Sequence, residues 1–129
     1  WGRGQEEVKV STNALTARYC KLRGWPCQTV QTFYGGRRHD LFGIADTIVF
    51  HPGGELWIQN ASYGTLKAHR DAIGANEHIS YIDRHGLSVL IWEWRRKKVG
   101  RKKLWFKRGQ MRSSGIWNSV GDWEGPLDL

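Results

Sequence analysis

Apolar positions recur along the chain with two different periods. Between Ser11 and Gly24, Leu15, Tyr19 and Leu22 fall at helical spacing, with Ala14 and Ala17 as good helix formers among them. The Ser11 hydroxyl is suited to accept a bond from an early backbone N–H, and Gly24 followed by Pro26 stops the helix. Residues 27–34 (CQTVQTFY) are β-branched and aromatic and predict a strand, broken by Gly35-Gly36. Arg37-Arg38-His39 is then a short basic loop leading to Asp40. From Asp46 the apolar run Thr47-Ile48-Val49-Phe50 predicts a second strand, His51-Pro52-Gly53-Gly54 a turn, and Glu55 to Ala61 a third strand. On that third strand Trp57, Gln59 and Ala61 share a face. A hairpin of this length brings the head of its first strand beside the end of its second, so Asp46 and Gln59 should meet.

After Gly64-Thr65 the period lengthens again. Leu66, Ile73, Ile79 and Ile82 predict a helical region interrupted at Gly74, restarted by an Asn76 cap and ended at Gly86. Residues 87–94 (LSVLIWEW) predict a further strand. The basic run 95–103 (RRKKVGRKK) reads as solvated and mobile, Leu104-Trp105-Phe106 as a last edge strand, and 109–129 as an irregular tail pinned by Trp117 and Trp123. The order is helix, three strands, helix, strand. The long helical connection favours a crossover between parallel strands and the short connections favour antiparallel pairs. The fold class expected is α/β or α+β around a small mixed sheet.

Composition narrows the class. A chain of 129 residues suits one domain, here 1–129, with its core over about 11–108, a basic segment at 95–108 and the tail beyond. With 40% hydrophobic and 25% charged residues, disorder is excluded as the general state. The net charge of +8 points to a polyanionic partner, with nucleic acid first and plain solubility as the other reading. Cys20 and Cys27 fit no zinc spacing and read as reduced, buried thiols of a cytoplasmic protein, with a short bridge between them as the other reading. No signal peptide and no apolar stretch long enough for a bilayer is present, so no membrane partner is expected.

The order of elements, with Asp46-Thr47-Ile48-Val49 and then Leu56-Trp57-Ile58-Gln59-Asn60-Ala61, resembles the PD-(D/E)XK nuclease superfamily, which includes Holliday junction resolvases. Residues 38–46 (RHDLFGIAD) are similar to a segment of small phage and bacterial members, and the resemblance spans roughly 11–94. It implies a restriction-endonuclease-like αβββαβ core in which an Asp opens one strand and the next carries (D/E)-x-K. It further implies a Mg²⁺- or Mn²⁺-dependent DNA endonuclease, acting on branched or junction DNA as a homodimer, with no small-molecule cofactor. By resemblance Asp46 would bind metal, Gln59 would stand at the acidic position, the carbonyl of Asn60 would complete the protein ligands, and Asp40 would be a second carboxylate. Two departures follow: Gln replaces the acid, and Ala61 stands where the lysine belongs. Lys67 or Arg70 would have to reach in from the following helix, and Glu6 or Glu7 to replace an acid from the first. The alternative is a nucleic-acid-binding protein on the same fold with weakened catalysis, and a third reading is an accessory protein with no nucleic-acid partner.

The expected phosphate contacts are Arg37, Arg38, Arg70, Arg95, Arg96, Lys97, Lys98, Arg101, Lys102 and Lys103, with Lys107 and Arg108 beside them. Each chemical reading has a plain structural counterpart. Asp46 is otherwise a strand-end turn residue, Asp40 a partner for Arg37 or Arg38, and Gln59 a satisfied buried amide. The histidines are surface or core residues without ligand spacing, and Trp92-Glu93-Trp94 is part core and part surface.

Overall fold

A computed structural model describes residues 10–129. Along the chain lie α1 (Thr12–Arg23), β1 (Cys27–Thr29), β2 (Thr32–Tyr34), β3 (Arg37–His39), β4 (Thr47–His51) and β5 (Gly54–Ser62). They are followed by α2 (Leu66–Gly74), α3 (Ile79–Arg84), β6 (Ser88–Val99), β7 (Lys102–Ser113), β8 (Ile116–Ser119) and β9 (Glu124–Leu127). The main sheet runs β1-β4-β5-β6-β7-β8, with β9 also on β7. β5 and β6 are parallel and are joined by α2 and α3; the other pairs are antiparallel. This is a mixed α/β architecture.

Strand alternation sorts the core into two layers. Trp57, Ala61, Val89 and Ile91 face one side with Leu66, Ile73, Ile79 and Ile82 of the crossover helices. Ile58, Leu90, Trp92 and Trp94 face the other, with Leu15, Tyr19 and Cys20 of α1. Because both faces of β6 are covered along residues 89–94, that stretch reads as a nearly unbroken apolar run, and each fully buried aliphatic side chain contributes about 1.5–3 kcal/mol. Trp92, Glu93 and Trp94 are all buried, where the sequence suggested part surface.

Local signals hold at α1. Ser11 Oγ accepts from Ala14 N–H at 3.1 Å, and Gly24 closes the helix at φ +74°. The turn between β4 and β5 is the expected one, with Gly53 N–H donating to His51 Nδ1 at 2.9 Å. Asn76 Oδ1 accepts from His78 N–H at 2.8 Å ahead of α3. Cys20 is buried and Cys27 half-buried, both as free thiols.

Four segments depart from expectation. The strand over 27–34 is two strands, because β4 begins at Thr47 and offers partners only to Cys27–Thr29. Beyond it, β2 pairs with β3 across Gly35-Gly36, whose φ values of +60° and +73° suit a two-residue hairpin. Arg37-Arg38-His39 is therefore a strand and not a loop.

The basic run is also ordered into a ladder. β6 continues to Val99, turns at Gly100-Arg101 and pairs with β7 through Val99↔Lys102. Leu104, Trp105 and Phe106 supply a half-buried surface for the long basic stems, with Arg96 over Trp105 at 5.5 Å and Lys97 over Phe106 at 5.5 Å. The 109–129 segment is likewise built from strands. Ser114 (φ +51°) and Gly115 (φ +82°) make the tight turn that folds β8 back on β7, so residues that look like coil by composition are those a hairpin needs.

Candidate active cleft at the head of β4

Asp46 precedes β4 and Gln59 lies near the end of β5. The antiparallel register Thr47↔Ile58 puts them side by side, and Gln59 Nε2 donates to Asp46 Oδ2 at 3.2 Å. They line an open cleft of about 560 Å³ at the sheet end toward which β5 and β6 run. Loop 40–45 forms one wall. It is tied by Leu41 N–H to Ala45 O at 2.7 Å and by Asn76 Nδ2 to Phe42 O at 3.0 Å. The β2–β3 ribbon brings Arg38 and His39 to the rim, with His39 stacked on Tyr34 at 3.6 Å.

Asp46 is 3% exposed and densely hydrogen-bonded. Asn60 Nδ2 donates to its Oδ1 at 2.8 Å, and the Asn60 N–H lies 3.2 Å from Oδ2. The direction of this network is determined from within. An indole N–H can only donate, and Trp94 Nε1 donates to Thr16 Oγ1 at 3.3 Å. The Thr16 hydroxyl therefore gives its proton to Asn60 Oδ1, in a short bond. That leaves the Asn60 amide nitrogen facing Asp46 and Asn13 Oδ1. Three side chains, from α1, β5 and β6, thus turn an amide donor toward Asp46.

Electrostatics add a second property. Burial pushes the Asp46 carboxyl up to about 7; the Asn60 backbone N–H works against this, and the nearby Asp40 charge adds to it. Asp40 itself takes a bond from Gln31 Nε2 at 2.5 Å rather than from Arg37 or Arg38. His69 projects from α2 into the same cleft. Burial lowers its pKa, with Asp40 and Glu93 acting in the opposite sense, so the neutral imidazole is favoured.

The expected residues divide accordingly. Asp46, Gln59, Asn60, Asp40 and Arg38 share the cleft. Lys67 does not: its Nζ bonds Asp71 at 2.9 Å on the outer face of α2. Helical phase explains this, since Leu66, His69 and Ile73 lie three and four apart and turn inward together, while Lys67 and Asp71 turn outward. Arg70 reaches Gln110 Oε1 at 3.3 Å and lines a smaller cavity with Glu93 and Arg108. Ala61 is buried in the core beside Trp57. Glu6 and Glu7 lie outside the described residues.

No family model, curated protein or solved structure matches the chain. The cleft therefore has to be interpreted from its own chemistry. The oxygens it could offer a cation are hard ones: the two carboxylates, the Gln59 Oε1 left over when Nε2 binds Asp46, and the Asn60 carbonyl. In an extended strand a residue's C=O points the same way as its N–H, and the Asn60 N–H points at Asp46. One or two carboxylates with neutral oxygens, completed by water and phosphate, is what Mg²⁺ accepts. Among the described residues no group of three or more His, Cys, Asp and Glu side chains is placed to hold a metal.

His69 and the supporting pair Asn13 and Thr16 were not singled out from the sequence. The inward phase of His69 with Leu66 and Ile73 was the available signal; Asn13 and Thr16 had none. A further supporting group is Glu93, buried on β6. It accepts from Gly64 N–H at 2.8 Å, Leu66 N–H at 3.2 Å and Arg108 Nε at 2.6 Å. Thr65, at the cap position of α2, makes no side-chain cap bond, so Glu93 satisfies the first turn of the helix that carries His69.

Proposed function

We propose that this chain is a Mg²⁺- or Mn²⁺-dependent phosphodiesterase of the PD-(D/E)XK type acting on DNA. The observation that carries the reading is the contact between the Asp46 carboxylate and the Gln59 amide on the wall of an open, polar cleft. The chain path supports it: with the β2–β3 ribbon set aside, α1-β1-β4-β5-α2/α3-β6 follows the αβββαβ order. Asp46, Asp40, Gln59 Oε1 and the Asn60 carbonyl would hold the ion. The divalent ion supplies electrophilic charge at the scissile phosphate.

The chain's own groups then do the rest. The Trp94–Thr16–Asn60 relay keeps Asp46 aimed at the ligand as an acceptor. His69, neutral near pH 7, accepts a proton from the attacking water, a role the family gives to a different side chain. Arg38 at the rim offers its guanidinium to a phosphate oxygen. A second reading, binding without cleavage, is favoured by one observation: position 61 is a buried alanine, and Lys67, the lysine expected to replace it, is held by Asp71. Incubation of duplex, branched and single-stranded DNA with Mg²⁺ or Mn²⁺ tests both. Cleavage that disappears in Asp46→Ala supports the enzyme; tight binding without cleavage under either metal supports the second reading and refutes the first.

A further inference from the structure

The segment of β6 beyond β5 has no role in the cleft. β5 ends at Ser62, level with Trp94, and β9 follows β7 as far as Trp105, level with Arg96; beyond that point β6 and β7 run on as a two-stranded ribbon to the turn at Gly100-Arg101. At about 3.4 Å per residue, the three residues from Lys97 to Val99 project roughly 10 Å beyond the last β9 pairing. The ribbon leaves from the sheet end where the cleft lies: Gln59 is level with Ile91, four residues and about 13 Å before Arg95.

Its charge is one-sided in sign and two-sided in space. Residues 95–106 hold seven of the chain's 20 Lys and Arg and no acid, with Lys102 meeting Asp128 of the C-terminal segment at 3.6 Å. Directly opposed residues share a face, so Lys97, Lys102 and Arg95 lie on one face and Arg96, Lys98 and Lys103 on the other. Lys98 and Lys103 are directly opposed, and like charges so placed disfavour the pairing. At the outer end Val99 is the one apolar residue between Lys97 and Lys103, so the tip has little to offer a hydrophobic partner.

Shape selects among polyanions. Two strands about 4.8 Å apart, with side chains on both faces, make a rod that the B-form major groove, about 12 Å wide and 8.5 Å deep, can admit. The A-form major groove of duplex RNA is too deep and narrow. We propose that the β6–β7 ribbon inserts into the major groove of B-form duplex DNA, contacts phosphates on both groove walls and thereby sets the duplex next to the cleft. This deepens the nucleic-acid reading above and rests on it.

The test uses the full chain in EDTA, with fluorescence anisotropy on a 20-base-pair DNA duplex, the same sequence as duplex RNA, and vesicles of phosphatidylserine and phosphatidylcholine. Combined Lys97→Ser, Lys98→Ser, Lys102→Ser and Lys103→Ser should weaken DNA duplex binding at least tenfold near 0.1 M salt. The slope of log affinity against log salt should become shallower by about 0.9 for each phosphate that the variant no longer neutralises. The same four lysines changed to Arg should restore binding. An unfolding curve confirms that the Ser variant is folded, and Arg101→Glu at the tip gives an independent loss with one side chain. DNA carrying bulky groups at cytosine C5 in the major groove should bind worse, and a minor-groove ligand should not compete.

Affinity of the Ser variant within twofold of wild type overturns the inference. So does RNA duplex bound as tightly as DNA, or binding to vesicles alone. Ribbon-dependent duplex binding with no cleavage under any metal refutes the enzyme reading and leaves the ribbon standing. Metal-dependent cleavage with ribbon-independent duplex binding does the reverse.

Discussion

Asp46 offers the sharpest test, because the same burial that prepares it for a cation makes it costly without one. Its folded pKa is about 7 against an ordinary 3.8. The folded state therefore holds the extra proton, and stability should fall as pH rises from about 4 to about 7. Integrated between pH 5 and pH 8, one such group removes roughly 2–3 kcal/mol. Asp46→Asn has nearly the same shape and no titration, so this component should vanish. The absolute change is a compromise, since the new amide nitrogen would face donors from Gln59 and Asn60 and an unmade buried bond costs about 1–3 kcal/mol. The pH dependence is free of that offset. Urea unfolding of both proteins in EDTA at pH 5, 6, 7 and 8 should show the variant gaining roughly 2–3 kcal/mol on wild type across the range. Added Mg²⁺ at pH 8 should then raise the midpoint of wild type and not of the variant. Parallel pH profiles for the two proteins would refute the argument, whatever their absolute stabilities.

Other consequences follow from the same geometry. Thr16→Val interrupts the relay, leaving the buried Trp94 Nε1 and Asn60 Oδ1 unpaired, and should cost about 1–3 kcal/mol in urea unfolding and weaken Mg²⁺ binding by titration. Glu93→Ala strips the α2 cap and a buried carboxylate whose partner Arg108 is 40% exposed, so roughly 2–4 kcal/mol should be lost, below the full cost of breaking a wholly buried pair. Under the enzyme reading His69→Ala should slow cleavage by about 10²–10⁴-fold. Lys67→Ala should leave both cleavage and stability nearly unchanged, because its ion pair is on the surface; an equal loss in the two variants would reverse the assignment.

What could be derived from residue order was local or periodic. Ser11 and Gly24 mark the ends of α1, the Pro52-Gly53 turn fixes the β4–β5 register, and that register alone brings Asp46 to Gln59. The two-sided burial of β6 was not legible in residue order, since residues 92–94 read as part surface and all three are buried. The remainder depended on contacts between distant segments. Whether Lys67 or His69 faces the cleft depends on how α2 is rotated against the sheet, which Ile73 and Leu66 settle by packing. The direction of the hydrogen bonds at Asp46 comes from Trp94, 48 positions away. Likewise, 95–103 and 109–129 look disordered by composition, because a strand's backbone partners are supplied by other strands and leave no mark in its own residues.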